Sequence, residues 1–279
     1  MNATITDILN SHLSRRAVIA GILNVTPDSF SDGGKFFDPA AAIDQARRMV
    51  ADGADIIDVG AESTRPGSQR VAAAEQIRRL EHILPAVARC GAVVSVDTTL
   101  AEVAAFALDV GAGIINDISA GRDDCGMFPL VAGRGCPIIL MHMLGQPATM
   151  QQEVSYTDVV GQVRQFLAGR AAAAIDAGIA RDRIILDPGI GFGKLAGHNL
   201  ALLAGTGRLA DLGYPLMIGA SRKRFIGELT NQPDASGRAA GTIGACIAAW
   251  GRGATIFRVH DVRPLRDAIK VVQAIEAQA

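Results

Sequence analysis

Asp55-Ile-Ile-Asp-Val-Gly60, then a longer segment over 73–89, then Ala92-Val-Val-Ser-Val-Asp97: the fold turns on the reading of this stretch. The two short runs are nearly all apolar, as a strand is when both faces are buried in a parallel sheet. Between them Ile77, Leu80, Leu84 and Val87 fall on one face of a helix. The same strand–helix unit recurs in both directions. Upstream, 17–23 reads as a strand, and Asp38-Pro39 offers an N-cap and a first-turn proline for a helix running towards Asp52. Downstream, strands are expected at 113–117, 137–142, 183–187, 215–221 and 255–260. Helices are expected at 123–134, 156–177, 198–212, 236–250 and 263–277. Thr99-Leu-Ala-Glu102 has the form of a capping box opening the helix after the third strand. Eight strand–helix units favour a closed TIM-type (β/α)8 barrel over an open sheet. No Pro-, Gly- or Ser-rich linker divides the chain, so one domain is expected over 1–279, with its core from about residue 17 to about residue 277.

Composition agrees. The chain has 279 residues, 49% of them hydrophobic, and a net charge of −1 with Lys and Arg spread evenly, so no nucleic-acid footprint is expected. Cys90, Cys125, Cys136 and Cys246 form no C-x-x-C pair and read as thiols of a reducing, cytoplasmic protein. The opening twenty residues hold Asp7, Arg15 and Arg16 without a long apolar run, so neither a signal peptide nor a membrane span is expected.

The strand ends carry the polar residues: Asn24, Asp58 to Glu62, Asp97, Asn116 and Asp117, His142, Asp187, Ser221 to Lys223, and Arg258 with His260. In a barrel these ends converge on one mouth. Taken singly, many of the Asp and Asn residues could simply cap the next helix. Capping does not explain the cations and the histidine at the last two strand ends. Arg65, Arg222, Lys223, Arg258 and His260 suit phosphate oxygens. Asp97, Asn116 and Asp187 suit the donor-rich edge of a flat heterocycle. A pocket for a nitrogenous ring carrying a phosphate or diphosphate is therefore expected. Gly189-Ile-Gly191-Phe-Gly193-Lys194 fits neither the dinucleotide nor the Walker pattern, and Asp187-Pro188-Gly189 reads as a strand end and tight turn. No zinc-binding H-E-x-x-H and no G-x-S-x-G elbow occur. The loops at 26–34 and 64–70 could close over a substrate.

Several long motifs, in order, resemble the dihydropteroate synthases. They are Gly21-Ile-Leu-Asn-Val-Thr-Pro-Asp-Ser-Phe-Ser-Asp-Gly-Gly34, Asp58-Val-Gly-Ala-Glu-Ser-Thr-Arg-Pro-Gly67, Ser95-Val-Asp-Thr98, Ile115-Asn-Asp-Ile118, Leu186-Asp-Pro-Gly-Ile-Gly-Phe-Gly-Lys194, Gly219-Ala-Ser-Arg-Lys-Arg-Phe-Ile-Gly227 and Arg258-Val-His-Asp261. The resemblance implies a pterin-binding barrel that joins 6-hydroxymethyl-7,8-dihydropterin pyrophosphate to 4-aminobenzoate, releasing pyrophosphate, as a transferase of folate synthesis and a target of sulfonamides. It implies that Asp97, Asn116, Ile118, Met141, Asp187, Phe192, Gly219, Lys223 and Arg258 hold the pterin. Asn24, Arg65, Arg258 and His260 would meet the diphosphate, with Asn24 a ligand of Mg²⁺. Phe30, Thr64, Pro66, Phe192, Ser221, Arg222 and Lys223 would hold 4-aminobenzoate. Chemistry would fall to Lys223, Asp97, Asp187, Arg65, Arg258 and His260. A homodimer is implied. The alternatives are a pterin-binding methyltransferase using methyltetrahydrofolate, which has no need of the diphosphate cations, a non-catalytic pterin-binding barrel, and a sugar-phosphate enzyme on the same fold.

Overall fold

The computed structural model describes residues 4–14, 16–26, 38–63, 67–145, 149–150 and 154–278. Its strands are β1 (Val18–Asn24), β2 (Ile56–Gly60), β3 (Val93–Asp97), β4 (Ile114–Asp117), β5 (Ile138–Met141), β6 (Ile184–Asp187), β7 (Met217–Ile218) and β8 (Ile256–Val259). They form one eight-stranded sheet in the order β6-β5-β4-β3-β2-β1-β8-β7, and its ladders are parallel. The ends of that order meet. Leu186 bridges Leu216, and the Leu186 N–H donates to the Pro215 carbonyl at 3.0 Å. The sheet thus closes as the (β/α)8 barrel expected from the sequence.

Period-two alternation sorts the side chains. Ile57, Val59, Val94, Val96, Ile115, Leu140, Leu186, Ile218 and Phe257 point outward into the core shared with the helices. Inside, Val18, Ala20, Ile56, Ile114, Ile139, Ile185, Met217 and Ile256 form an apolar floor, closed from below by Ile8 and Leu9. Each fully buried aliphatic there stabilises the fold by about 1.5–3 kcal/mol. One inward step up the same strands stand Asp58, Asn116, Met141, Asp187, Gly219 and Arg258, with Ser95 and Asp97 on β3.

Several helices differ from expectation. The segment 73–89 is two helices, Ala73–Leu80 and Leu84–Val87. Pro85 has no N–H to continue the first, and it starts the second in its first turn, where no donor is needed. The segment 198–212 divides at Gly205 into Ala196–Ala204 and Thr206–Ala210. The helix expected at 123 starts at Met127, and that expected at 236 begins as a 3-10 turn, Ala235–Arg238, before Ala239–Trp250. The capping box at Thr99 does not form. The helix is Ala101–Asp109, and the Ala101 N–H donates to Asp124 Oδ2 at 2.7 Å while the Thr99 hydroxyl accepts from Arg70 at 2.8 Å. Helices Ile5–Leu9, Ser11–Ser14 and Arg224–Thr230 were not anticipated.

Candidate active site

At the C-terminal rim of the barrel lies a small cavity open to solvent. Asp97, Asn116, Ile118, Met141, Asp187, Phe192, Gly219, Lys223 and Arg258 line it, with Gly189 and Ile190, which were not expected in the site. Asn24 ends β1, and its amide oxygen stands 3.6 Å from where a Cβ on Gly60 would sit. Ser221 and His260 meet at the rim, Oγ to Nδ1 2.9 Å. Phe30, Thr64, Arg65 and Pro66 lie outside the described residues.

The floor of the cavity is an ion-pair network. Arg258 Nε donates to Asp58 Oδ2 at 2.6 Å, and its Nη2 donates to Asp97 Oδ2 at 3.1 Å. Asp58 Oδ2 also accepts from Asn116 Nδ2 at 3.2 Å. That bond fixes the amide and leaves Asn116 Oδ1, like Asp58 Oδ1 and Ser95 Oγ, buried without a protein partner. A buried acceptor left unmade costs about 1–3 kcal/mol, so Asn116 Oδ1 is primed for an N–H donor. Burial, with Asp58 beside it, pushes the Asp97 carboxyl up to about 7 although Arg258 opposes the shift. Burial likewise raises Asp187 to about 6, against the pull of the Gly189 N–H, which donates to its Oδ1 at 2.7 Å. Burial lowers Lys223 to about 8, with Arg258 adding to the effect.

The turn at Asp187-Pro188-Gly189 opens a loop held from behind by Lys194. This lysine, 3% exposed, donates to the carbonyls of Gly189 and Phe192, each at 2.9 Å, and lies 2.9 Å from His142 Nδ1. The Gly191 N–H donates to Asn199 Oδ1 at 2.7 Å, and the Tyr156 hydroxyl donates to the Gly193 carbonyl at 3.0 Å. The loop so fixed holds the Phe192 ring under Lys223, whose Nζ lies 4.0 Å from the ring centre. Gly191 has φ +83°, and a Cβ there would stand 2.8 Å from Lys223 Cδ. The sequence reading missed the roles of Lys194, Asn199 and Asp58. A lysine ending a glycine-rich turn beyond a buried strand was the one available signal.

Other strand-end residues expected at the mouth are used elsewhere. His142 packs edge-on against Phe166 and turns to Lys194. Asp117 accepts from the N–H groups of Ser119 and Gly121 at 2.8 and 2.7 Å, closing the turn after β4 and not capping the next helix, which starts at Met127. Glu62 accepts from Gln76 at 2.8 Å. Two of the rim residues grouped as cations stand apart from the others in the free protein. Burial, then Arg222 and Arg258, lower His260 to about 4, so it is neutral at pH 7. Arg222 does not line the cavity, and both Nε and Nη2 donate to Asp261, at 2.9 and 2.6 Å. Among the described residues no three His, Cys, Asp or Glu side chains converge to hold a metal. Asn24 offers one neutral oxygen, which fits a Mg²⁺ carried in on a substrate's phosphate oxygens.

Residues 20–260 match the pterin binding enzyme family. The chain is 45% identical over 262 residues to dihydropteroate synthase of Synechocystis sp., covering 94% of this chain and 91% of that one. It superposes on the dihydropteroate synthase of Xanthomonas albilineans solved with 4-aminobenzoic acid with a TM-score of 0.89 at 44% identity, covering 94% of both chains. The same enzyme in complex with 7,8-dihydropteroate gives a TM-score of 0.84 at 42% identity, again over 94% of both chains.

Proposed function

From the premise that this chain belongs to the pterin-binding enzyme family, among the dihydropteroate synthases, we propose that the rim cavity binds the dihydropterin ring of 6-hydroxymethyl-7,8-dihydropterin pyrophosphate and that 4-aminobenzoate attacks its exocyclic CH₂. The observation that carries this reading is the convergence of Asp97, Asn116 Oδ1 and Asp187 on one cavity with Lys223. Three acceptors on one side match a flat ring edged with N–H groups. Phe192 and Met141 supply an apolar face for the ring.

The condensation forms a bond between the amine nitrogen and the CH₂ carbon, breaks the bond from that carbon to the diphosphate oxygen, and passes the surplus amine proton to solvent. Negative charge grows on the leaving oxygen and positive charge on the pterin. Asp97 and Asp187 stabilise the second. Arg65 and Arg258 would stabilise the first, and Lys223 holds the pterin ring beside the two acids. His260 would contact the leaving diphosphate as a hydrogen-bond donor. Asn24 would hold a Mg²⁺ accompanying the diphosphate, and such an ion would offset the leaving group's charge. The amine of 4-aminobenzoate is nucleophilic when neutral, so the chemistry needs no strong base. Ser221, Phe192 and the stem of Lys223 would border the 4-aminobenzoate position, to which the resemblance also assigns Phe30, Thr64 and Pro66. Sulfonamides compete there.

The barrel acts as one domain in a cytoplasmic homodimer, and no described helix is long and apolar enough to cross a membrane. The test is pyrophosphate release that requires both substrates and is inhibited by sulfamethoxazole competitively with 4-aminobenzoate. Release that ignores 4-aminobenzoate overturns the reading.

A further inference from the structure

The β7–β8 ladder stops at Ile218↔Phe257, and above it the same offset of 39 residues recurs in side-chain contacts. Counting up at that offset sets Gly219 against Arg258, Ala220 against Val259, Ser221 against His260 and Arg222 against Asp261. The last two pairs are joined by side chains where backbone bonds have ended. Ser221 Oγ lies 2.9 Å from His260 Nδ1 and accepts from the His260 N–H at 3.1 Å. Arg222 forks onto both oxygens of Asp261 at 2.9 and 2.6 Å, the geometry in which guanidinium and carboxylate match best. Only 31% of the Arg222 side chain and 21% of that of Asp261 are exposed, so the pair is a fixed joint and not a loose surface contact.

The backbone of Arg222 is unusual as well. Its φ is +56°, the left-handed region that residues with a Cβ avoid. Three contacts hold it there besides Asp261: its N–H donates to Thr242 Oγ1 at 3.0 Å, its carbonyl accepts from Arg238 Nη1 at 3.0 Å, and the next N–H, of Lys223, donates back to Ala220 at 3.3 Å. This left-handed turn sends Ser221 towards His260 and Lys223 into the cavity.

We infer that Arg222 is a positioning residue: with Asp261 it fastens the top of β7 to β8 and so aims Lys223, without itself binding substrate. The inference rests on the reading of the cavity given above. Arg222 acts by geometry, and its charge is already matched by Asp261.

Arg222→Met, Arg222→Lys, Asp261→Asn and the double variant Arg222→Met/Asp261→Asn test this by kcat, by KM for each substrate and by thermal unfolding. A clamp predicts that all three single variants lower kcat by between about tenfold and a hundredfold. The KM for 4-aminobenzoate should stay within about twofold, and the double variant should be no slower than the worse single one. Lysine should not rescue, because it keeps the charge and loses the fork. A direct ligand of the 4-aminobenzoate carboxylate predicts the reverse: Arg222→Met raises that KM, Arg222→Lys restores it, and Asp261→Asn lowers it by freeing the guanidinium. That pattern overturns the inference. If Arg222→Met does not fold, Arg222→Gly takes the left-handed backbone without strain and carries the same comparison. A wild-type chain that fails to join the two substrates defeats the reading of the cavity. An active wild type whose variants follow the direct-ligand pattern defeats only the clamp.

Discussion

The lower and upper halves of the barrel interior are built on the same strands, one inward step apart, and they do opposite things. Ile56 and Asp58, Ile114 and Asn116, Ile185 and Asp187, and Ile256 and Arg258 are neighbours on one face of one strand. The lower member of each pair fills space. The upper member is a polar group taken out of water, at a cost of several kcal/mol for an ion unless it is paired. The floor therefore holds the strands in register, and the rim spends part of that stability on acceptors poised for a ring. The comparison shows how little backbone separates folding from chemistry: two residues of a strand rising about 3.3 Å each.

That contrast can be broken from either side. The largest effect should come from the rim. Lys223→Ala is expected to lower kcat roughly a thousandfold, about 4 kcal/mol of barrier, while unfolding by urea changes little, since a buried ammonium is removed. Near-normal turnover contradicts the role proposed for it. Arg258→Met leaves Asp58 and Asp97 side by side without their counter-charge. It should cost about 3–5 kcal/mol of stability and also weaken pterin binding, read by urea denaturation and by calorimetry. Ile185→Ala, in the floor directly below Asp187, should cost about 2–5 kcal/mol of stability but leave kcat within about threefold at a temperature where the variant is folded. A floor variant that loses turnover while keeping its stability would erase the division drawn here.

The smallest effect is on pH. Asp97 at about 7 and Asp187 at about 6 take up protons as the pH falls, and a protonated carboxyl presents a donor where the ring presents one too. Lys223 at about 8 loses its charge as the pH rises. In the free enzyme kcat/KM for the pterin should rise through about pH 6–7 and decline above about pH 8. Lys223→Arg should move the alkaline limb upward.

The floor was legible because strands buried on both faces write themselves as unbroken apolar runs, and the closed barrel followed from their number. The rim residues were legible as residues, since Asp97, Asn116, Asp187 and Lys223 stand at strand ends. Their states were not. Nothing local shows that His260 is held neutral or that Arg222 is committed to Asp261, because both facts depend on how β7 and β8 register across a gap of 39 residues. The same holds for Asp124, which caps a helix that begins 23 residues before it and so displaced the capping box read at Thr99. Lys194 looked like part of a failed nucleotide motif until its three loop and histidine contacts came together. Pairings between distant segments fix charge and geometry, and a linear reading sees only the partners.

Gly191 carries a consequence for inheritance. Any substitution there strains the chain and drives a methyl group into the stem of Lys223. A variant lineage that alters this wall at Gly191 must therefore move the Lys223 stem with it, so the two positions are tied in inheritance.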